Sequence, residues 1–234
     1  MIKITNTETF GWESAIRGMR NPMNSWAKGD TNWEKYRSSG DINRCLGEND
    51  LKLMKTLSKA GSDHGKYLRY LTVHVDIEAP LYWWKEFKTY RKDKRFLDDG
   101  DDFLDIEDFD HEELELFIET NSCSTMHKIH ANPFTLEDFS HEHLLEEGMY
   151  HLSATVGLLN FYREKFIETK DKQYWWQMIQ LLPSSYNQKR TVQINYQVLK
   201  RMYHARKNHK LNEWHDFCDW VESLPYIKKI CIED

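Results

Sequence analysis

The sequence has few of the residues that mark linkers, disulfide frameworks or membrane segments. Only ten Gly and five Pro occur among 234 residues, which predicts mostly regular elements. The four Cys form no CxxC pair, so we expect free thiols in a reducing compartment. No run approaches the roughly 18 apolar residues of a membrane helix, and the first residues lack a signal-peptide pattern. These absences predict a cytoplasmic protein without a membrane partner.

Acidic residues are concentrated in one stretch, which changes the meaning of the net charge of −6. Eleven acidic residues and no Lys or Arg lie between Asp98 and Glu115, leaving 32 basic against 27 acidic residues elsewhere. A mildly basic body suits a small anionic ligand such as a nucleotide, and it lacks the dense basic stripe of a duplex-binding protein. The stretch also lacks the Gly and the bidentate Glu of a calcium loop. We therefore predict one domain over residues 1–234 with an acidic surface insertion at about 93–118.

Apolar periodicity indicates a protein of mixed secondary structure. Alternation predicts strands at 71–77 and 191–196. Helical spacing, with capping and stop signals, predicts helices at 51–60, 80–90, 142–169, 173–182, 197–206 and 212–223. Long helices with few strands predict an α/β (α+β) fold, in which a small sheet is clad by helices.

Two short motifs each allow a structural and a functional interpretation. His127 and His130 have the spacing of a metal pair, but no third ligand pattern accompanies them, so we predict no metal site. The polar run from Asn121 to Thr125 is typical of a capping loop, and it could also cradle a phosphate or a pyrimidine. Within it, Cys123 could act as a nucleophile, although a buried structural thiol is the favoured interpretation.

A basic cluster around Arg206 also has two interpretations. Cations near the end of a predicted helix stabilise its dipole, which is the simpler account. Alternatively, the planar guanidinium of Arg206 could reach into an anion site, since it binds pairs of oxygens well.

Taken together, two blocks of the chain resemble the flavin-dependent thymidylate synthases. In the first, His64 precedes an alternating strand and a helix that runs into Thr89-Tyr90-Arg91, where family members carry Arg-His-Arg. The rest of that fingerprint resembles the stretch from Asn121 to Met126, beyond the acidic insertion. Asn121 and Ser124 keep the family's residue types, whereas Ser122 and Met126 stand in place of Glu and Arg.

The second block, near the C-terminus, matches the family more closely. It contains Leu182-Pro183, Tyr186, Thr191-Val192, Asn195 and Arg206. Asn195 follows Pro183 by twelve residues and Arg206 follows Asn195 by eleven, as in the family. Gln197 stands where members usually have Arg.

The resemblance implies a small, mainly antiparallel sheet clad by long helices and a homo-oligomer, expected to be a tetramer. It places the FAD contacts at His64, Tyr90, Arg91 and Asn195. Contacts to a deoxyuridine monophosphate (dUMP)-like nucleotide are implied at Asn121, Ser122, Ser124 and Arg206, with Ser124 and Arg206 as the catalytic candidates. Lys128 and Arg190 are candidates to replace the lost phosphate contacts.

The implied reaction is alkylation of a uridylate-type nucleotide at pyrimidine C5. FAD would be the cofactor, with NADPH and methylenetetrahydrofolate as co-substrates. The altered triplet at Tyr90 also allows a non-catalytic nucleotide-binding or protein-interaction module on the same fold.

Overall fold

A computed structural model describes residues 2–90 and 118–233. The strands are β1 (Lys3–Phe10), β2 (Thr72–Pro80), β3 (Ile118–Ser122) and β4 (Asn187–Asn195). The helices are α1 (Trp12–Arg20), α2 (Trp33–Ser39), α3 (Glu48–Lys59), α4 (Leu81–Phe87), α5 (Glu146–Thr169), α6 (Lys172–Leu181), α7 (Tyr196–Arg206) and α8 (Asn212–Ser223). Arg91 and nearly all of the predicted acidic insertion lie outside the described residues.

The four strands form one antiparallel sheet in the order β1-β2-β4-β3. This confirms the predicted fold class. Buried residues alternate along β2 and β4, because successive side chains of a strand point to opposite faces. The strands β2 and β4 continue directly into α4 and α7, so the residues at these two junctions are fixed by both a strand and a helix.

The described chain divides into two compact units. The first comprises Met1–Lys3, Asp76–Thr89 and Asn121–Thr191. In it, α5 packs against α6, and the turn between them is closed by Lys170 (φ 60°) and by Asp171, whose side chain accepts a hydrogen bond from the N–H of Gln173. The core of this unit contains Ile129, Phe134, Phe139, Leu152, Val156, Leu159 and Met178.

The second unit comprises Ile4–Val75, Tyr90–Thr120 and Val192–Asp234. Gly11 begins α1 with φ 87°, and a Cβ there would lie 1.8 Å from the carbonyl oxygen of Tyr70, so only glycine fits. This close approach is followed by the buried Trp12, whose ring lies edge-on to Tyr196 with centroids 5.7 Å apart.

Within the described ranges, the helices are too short or too polar to cross a membrane. The single domain predicted for residues 1–234 stays a prediction.

Candidate functional site

In the second unit, the structure brings together two predicted site residues, Arg206 and Tyr90. Nε of Arg206 donates a hydrogen bond of 2.8 Å to the hydroxyl oxygen of Tyr90. The guanidinium also lies 5.3 Å from the ring centroid of Tyr90 and 4.8 Å from that of Trp214. Both distances are within the range of cation–π attraction. The sequence placed Tyr90 with the flavin and Arg206 with the nucleotide, whereas the structure places them in contact.

Trp214 gives this cluster a rigid wall. It lies on α8 and is fully buried, with its ring edge-on to Phe217 at 5.5 Å and to His209 at 6.2 Å. Arg206 is in the last turn of α7, where a cation also interacts favourably with the helix dipole. The two interpretations of Arg206 from sequence are therefore compatible.

Asn195 lies at the junction of β4 and α7, where it caps the helix. Its side-chain oxygen accepts a hydrogen bond of 3.0 Å from the N–H of Val198, and the residue is only 5% exposed. Since the oxygen is used in the cap, the amide nitrogen is the group through which Asn195 can donate to a ligand.

His64 is exposed at the start of a short 3₁₀ segment, Gly65–Arg69. Nε of Arg69 donates a hydrogen bond to the side-chain oxygen of Gln197, in the first turn of α7. The segment that follows His64 is thus tied to the helix that Asn195 caps, which brings the two predicted flavin contacts onto neighbouring elements. Of the other two predicted flavin contacts, Tyr90 contacts Arg206, and Arg91 is outside the described residues.

The nucleotide candidates Asn121, Ser122 and Ser124 belong to the first unit. Asn121 and Ser122 end β3, so the prediction of a loop was wrong for these two residues. The hydroxyl oxygen of Ser124 accepts hydrogen bonds from the N–H groups of Met126 (3.2 Å) and His127 (2.8 Å). It also lies 3.3 Å from Nδ1 of His127. All three predicted residues are exposed, and Ser124 stabilises a tight local turn.

The prediction that Cys123 is buried was also wrong. The favoured interpretation was a buried thiol, but Cys123 is the exposed one among four free cysteines. It follows the end of β3, and its N–H donates to the carbonyl of Lys189 on β4. Cys123 is exposed because it follows the end of β3, which is an edge strand of the sheet.

Sequence reasoning missed a buried polar cluster beneath Cys123. Nε and Nη2 of Arg190 donate to the side-chain oxygen of Gln188 at 3.0 and 2.7 Å. Gln188 in turn donates to the carbonyl of Cys123 at 2.6 Å, and the Arg190 guanidinium lies 4.3 Å from the centroid of the Trp84 ring. Alternation along β4 could have revealed it, because Gln188 and Arg190 share the buried face of Val192 and Ile194.

The remaining motifs are structural. Tyr186 packs edge-on against Phe139 with centroids 5.6 Å apart, and burial raises the pKa of its hydroxyl. The ring of His130 packs edge-on against Phe166. In the part of the chain that the structure describes, no group of three or more His, Cys, Asp or Glu side chains is arranged to hold a metal ion.

Comparison with known proteins identifies the fold. No protein-family model and no curated protein matches the sequence. Thymidylate Synthase X (ThyX) from Helicobacter pylori, solved with FAD and dUMP, is similar with a TM-score of 0.61 and 15% identity, over 100% of this chain and 98% of that one. A second H. pylori ThyX structure, a flavin-dependent thymidylate synthase complexed with FAD and dUMP, gives the same TM-score and identity over 99% and 98%. The chain therefore has the fold of these enzymes.

Proposed function

We propose that this chain is a flavin-dependent thymidylate synthase-like enzyme. It would transfer a one-carbon unit from methylenetetrahydrofolate to C5 of a uridylate-type nucleotide, with NADPH as the reductant. The observation that carries the proposal is the aromatic clamp around Arg206, formed by Tyr90 and Trp214. It fixes a guanidinium at the position where the resemblance implies a nucleotide contact.

The similar solved structures support this ligand chemistry. Both contain FAD and dUMP, and they cover nearly the whole of this chain. The guanidinium of Arg206 carries a planar fork of N–H donors, which matches the oxygen atoms of a nucleotide. The mildly basic composition outside the acidic stretch also favours an anionic ligand.

Two observations support the proposed flavin contacts. His64 is exposed, and its segment is tied by Arg69 to the first turn of α7. The amide of Asn195 is held rigidly by its capping bond, so it can donate without first losing conformational freedom. When bound, the flavin would supply hydride chemistry that side chains lack. The protein residues would bind and orient the reactants.

Ser124 is proposed as a nucleotide contact in the first unit. Its oxygen accepts two backbone N–H groups, which fixes its position and leaves its hydroxyl hydrogen for His127 or for a ligand oxygen. The Arg190 cluster stabilises the adjacent strand end through Gln188 and Cys123. Arg190 is buried, so we propose that it supports this strand rather than replacing the lost phosphate contact.

The test of cofactor binding is the visible absorption spectrum of the purified protein, recorded before and after addition of FAD and then of dUMP. We expect a bound flavin band that shifts when the nucleotide is added, because the two ligands would share one environment. A spectrum equal to that of free FAD, with and without dUMP, would contradict the enzyme proposal.

The nucleotide contact is tested by calorimetry with Arg206→Ala. We expect affinity for dUMP to fall by about 2 kcal/mol, as for loss of a charge-assisted hydrogen bond. The matched control is Lys207→Ala, which removes the neighbouring exposed positive charge but leaves the clamp intact. Equal, small losses in the two variants would show that only general charge is involved.

A non-catalytic nucleotide-binding module on the same fold is the second candidate. It is favoured by the fact that Asn195 caps α7 and Tyr90 contacts Arg206, so two of the four predicted flavin contacts already serve the protein structure. Binding of dUMP without any response to FAD would support this candidate.

We also propose a cytoplasmic homo-oligomer, expected to be a tetramer. The four free cysteines suit a reducing compartment. Oligomerisation is supported by exposed apolar residues on α5, among them Tyr150, Leu158 and Phe161.

A further inference from the structure

We infer that Tyr90 and Arg206 form a single pair of donors for one oxygen-bearing group of the nucleotide. Tyr90 would then bind the substrate and not the flavin. The inference rests on the proposed function, and it goes beyond it by assigning a ligand-binding role to a residue that stands where the resembling family has histidine.

The hydrogen bond between Arg206 and Tyr90 can run in only one direction. An arginine has donors and no acceptor, so the Tyr90 oxygen must be the acceptor of the 2.8 Å bond from Nε. The hydroxyl hydrogen of Tyr90 therefore points away from Arg206. Among the described residues, the polar contact of the Tyr90 hydroxyl is with Arg206.

The contact with Arg206 also makes the Tyr90 hydroxyl a stronger hydrogen-bond donor. A hydroxyl that accepts a hydrogen bond from a cation is polarised, and it becomes a better donor to a third group. Tyr90 is half-buried, so water screens this polarisation less than at the surface. Its hydroxyl is thus suited to an acceptor such as a carbonyl or phosphate oxygen.

The side chains of Arg206 and Tyr90 are held in place by aromatic contacts. The guanidinium lies against the rings of Tyr90 and Trp214, and those rings lie 6.2 Å apart at 63°. Trp214 is itself fully buried. Both donors are therefore positioned before a ligand arrives, which reduces the conformational entropy lost on binding.

A pair of hydrogen-bond donors binds a ligand oxygen and disfavours a ligand amino group, because the hydrogens of the amino group would face the hydrogens of the two donors. The ligand oxygen could belong to the pyrimidine ring or to the phosphate. Deoxyuridine, which has the ring oxygens and no phosphate, distinguishes these two sources from each other.

The experiment is calorimetric titration of dUMP and deoxyuridine into the wild-type protein and Tyr90→Phe. The variant removes the hydroxyl and keeps the ring against Arg206. We expect dUMP affinity to fall roughly three- to tenfold, as for loss of one hydrogen bond. Tyr70→Phe is the matched control, because Tyr70 is 58% exposed in the same unit, and its affinity should equal that of the wild type.

The pattern of losses identifies the oxygen. A similar loss for both ligands would support contact with a ring oxygen, and a loss for dUMP alone would support contact with the phosphate. Wild-type affinity for both ligands in a Tyr90→Phe variant with an unchanged melting temperature would overturn the inference while leaving the proposed function standing. If the wild-type protein bound neither ligand, the proposed function would fail, and the inference with it.

Discussion

Arg20 and Asp50 form an ion pair that is almost completely removed from water. The side chains are 5% and 0% exposed, and Nε of Arg20 donates to Oδ1 of Asp50 at 2.8 Å. The other carboxylate oxygen accepts from the N–H groups of Asp30 and Thr31 and from the Thr31 hydroxyl. Asp50 thus joins α3 to the end of α1 and to the loop before α2, and all of its acceptor capacity is used.

We expect Asp50→Asn to destabilise the protein by about 3–5 kcal/mol, because it leaves the buried charge of Arg20 without compensation. Urea unfolding monitored by circular dichroism measures this change. Glu168→Gln is the control, since its partner Lys165 and Glu168 itself are both exposed and such pairs contribute little. A loss for Asp50→Asn no larger than for this control would contradict the structural role.

At the residue scale, the sequence indicates candidate residues but not their contacts. Asn195 and Arg206 were predicted as site residues from a resemblance in spacing, and only the structure shows that the oxygen of Asn195 caps a helix and that Arg206 contacts Tyr90. The contact between Arg206 and Tyr90 joins residues far apart in the chain, and no local pattern encodes it. The cap by Asn195 is local, and asparagine is a residue type that favours it. The burial of Cys123 was predicted wrongly because composition does not distinguish the edge of a sheet from its core.

Among the elements, those with strong apolar periodicity were predicted within a few residues. Examples are β2 and α8. Missed strands lack this signal. β1 is largely polar and exposed along its length, as an edge strand is, and β3 has only five residues. Their pairing is determined by the sheet and not by their own sequences.

The end of α8 carries an ion pair that should make stability depend on pH. Glu222 accepts hydrogen bonds of 2.6 Å from the hydroxyl of Tyr203 and from Nζ of Lys228. The bond from Lys228, followed by that from Tyr203, holds the pKa of Glu222 below its ordinary value. A lowered carboxyl pKa stabilises the folded state above the unfolded pKa, and this contribution is lost as pH falls through the folded pKa.

We therefore expect Glu222→Gln to lower the melting temperature at pH 7 by about 1–3 °C, as for a partly exposed pair in a chain of this size. The difference from wild type should shrink as pH falls through the lowered folded-state pKa of Glu222, because the carboxyl is then protonated in both states. Scanning calorimetry over an acidic pH series measures the effect. Asp219→Asn, an exposed acid on the same helix, should not show it; a difference that stayed the same throughout the series would exclude titration of Glu222 as the cause.

At the scale of the whole molecule, α5 has apolar residues on two faces. One face, with Leu152, Val156 and Leu159, is buried in the core of the first unit. The opposite stripe is exposed and consists of Tyr150, Ala154, Gly157, Leu158 and Phe161. Four of its members, Tyr150, Ala154, Gly157 and Phe161, are spaced by four, three and four residues, as in a helix that packs against another helix. Exposed apolar patches mark interaction sites, and we propose that this stripe packs against α5 of a second copy.

Phe161→Glu should shift the protein to a smaller species in sedimentation velocity, since it places a charge in the proposed apolar contact. Met23→Glu provides the control, because it introduces the same negative charge at an apolar residue that is 82% exposed and outside the stripe. If the wild-type protein sediments as a monomer, or if both variants keep its oligomeric state, α5 is not the interface.

The fold as a whole was predicted from a resemblance and from periodicity, and the strand order was not. Alternation shows that β2 and β4 are strands, but it does not show that they are neighbours across more than a hundred residues. Likewise, no composition shift marks the division into two units, because the unit boundaries fall inside β2 and β4.

The strand order has a consequence for synthesis of the chain on the ribosome. The last strand to be made, β4, lies between β2 and β3, so these two strands emerge without the neighbour that joins them. At 5–20 residues per second, roughly 5–20 s separate the end of β2 from the start of β4. During that interval one edge of β2 lacks its neighbour, and an unpaired strand edge can pair with other chains.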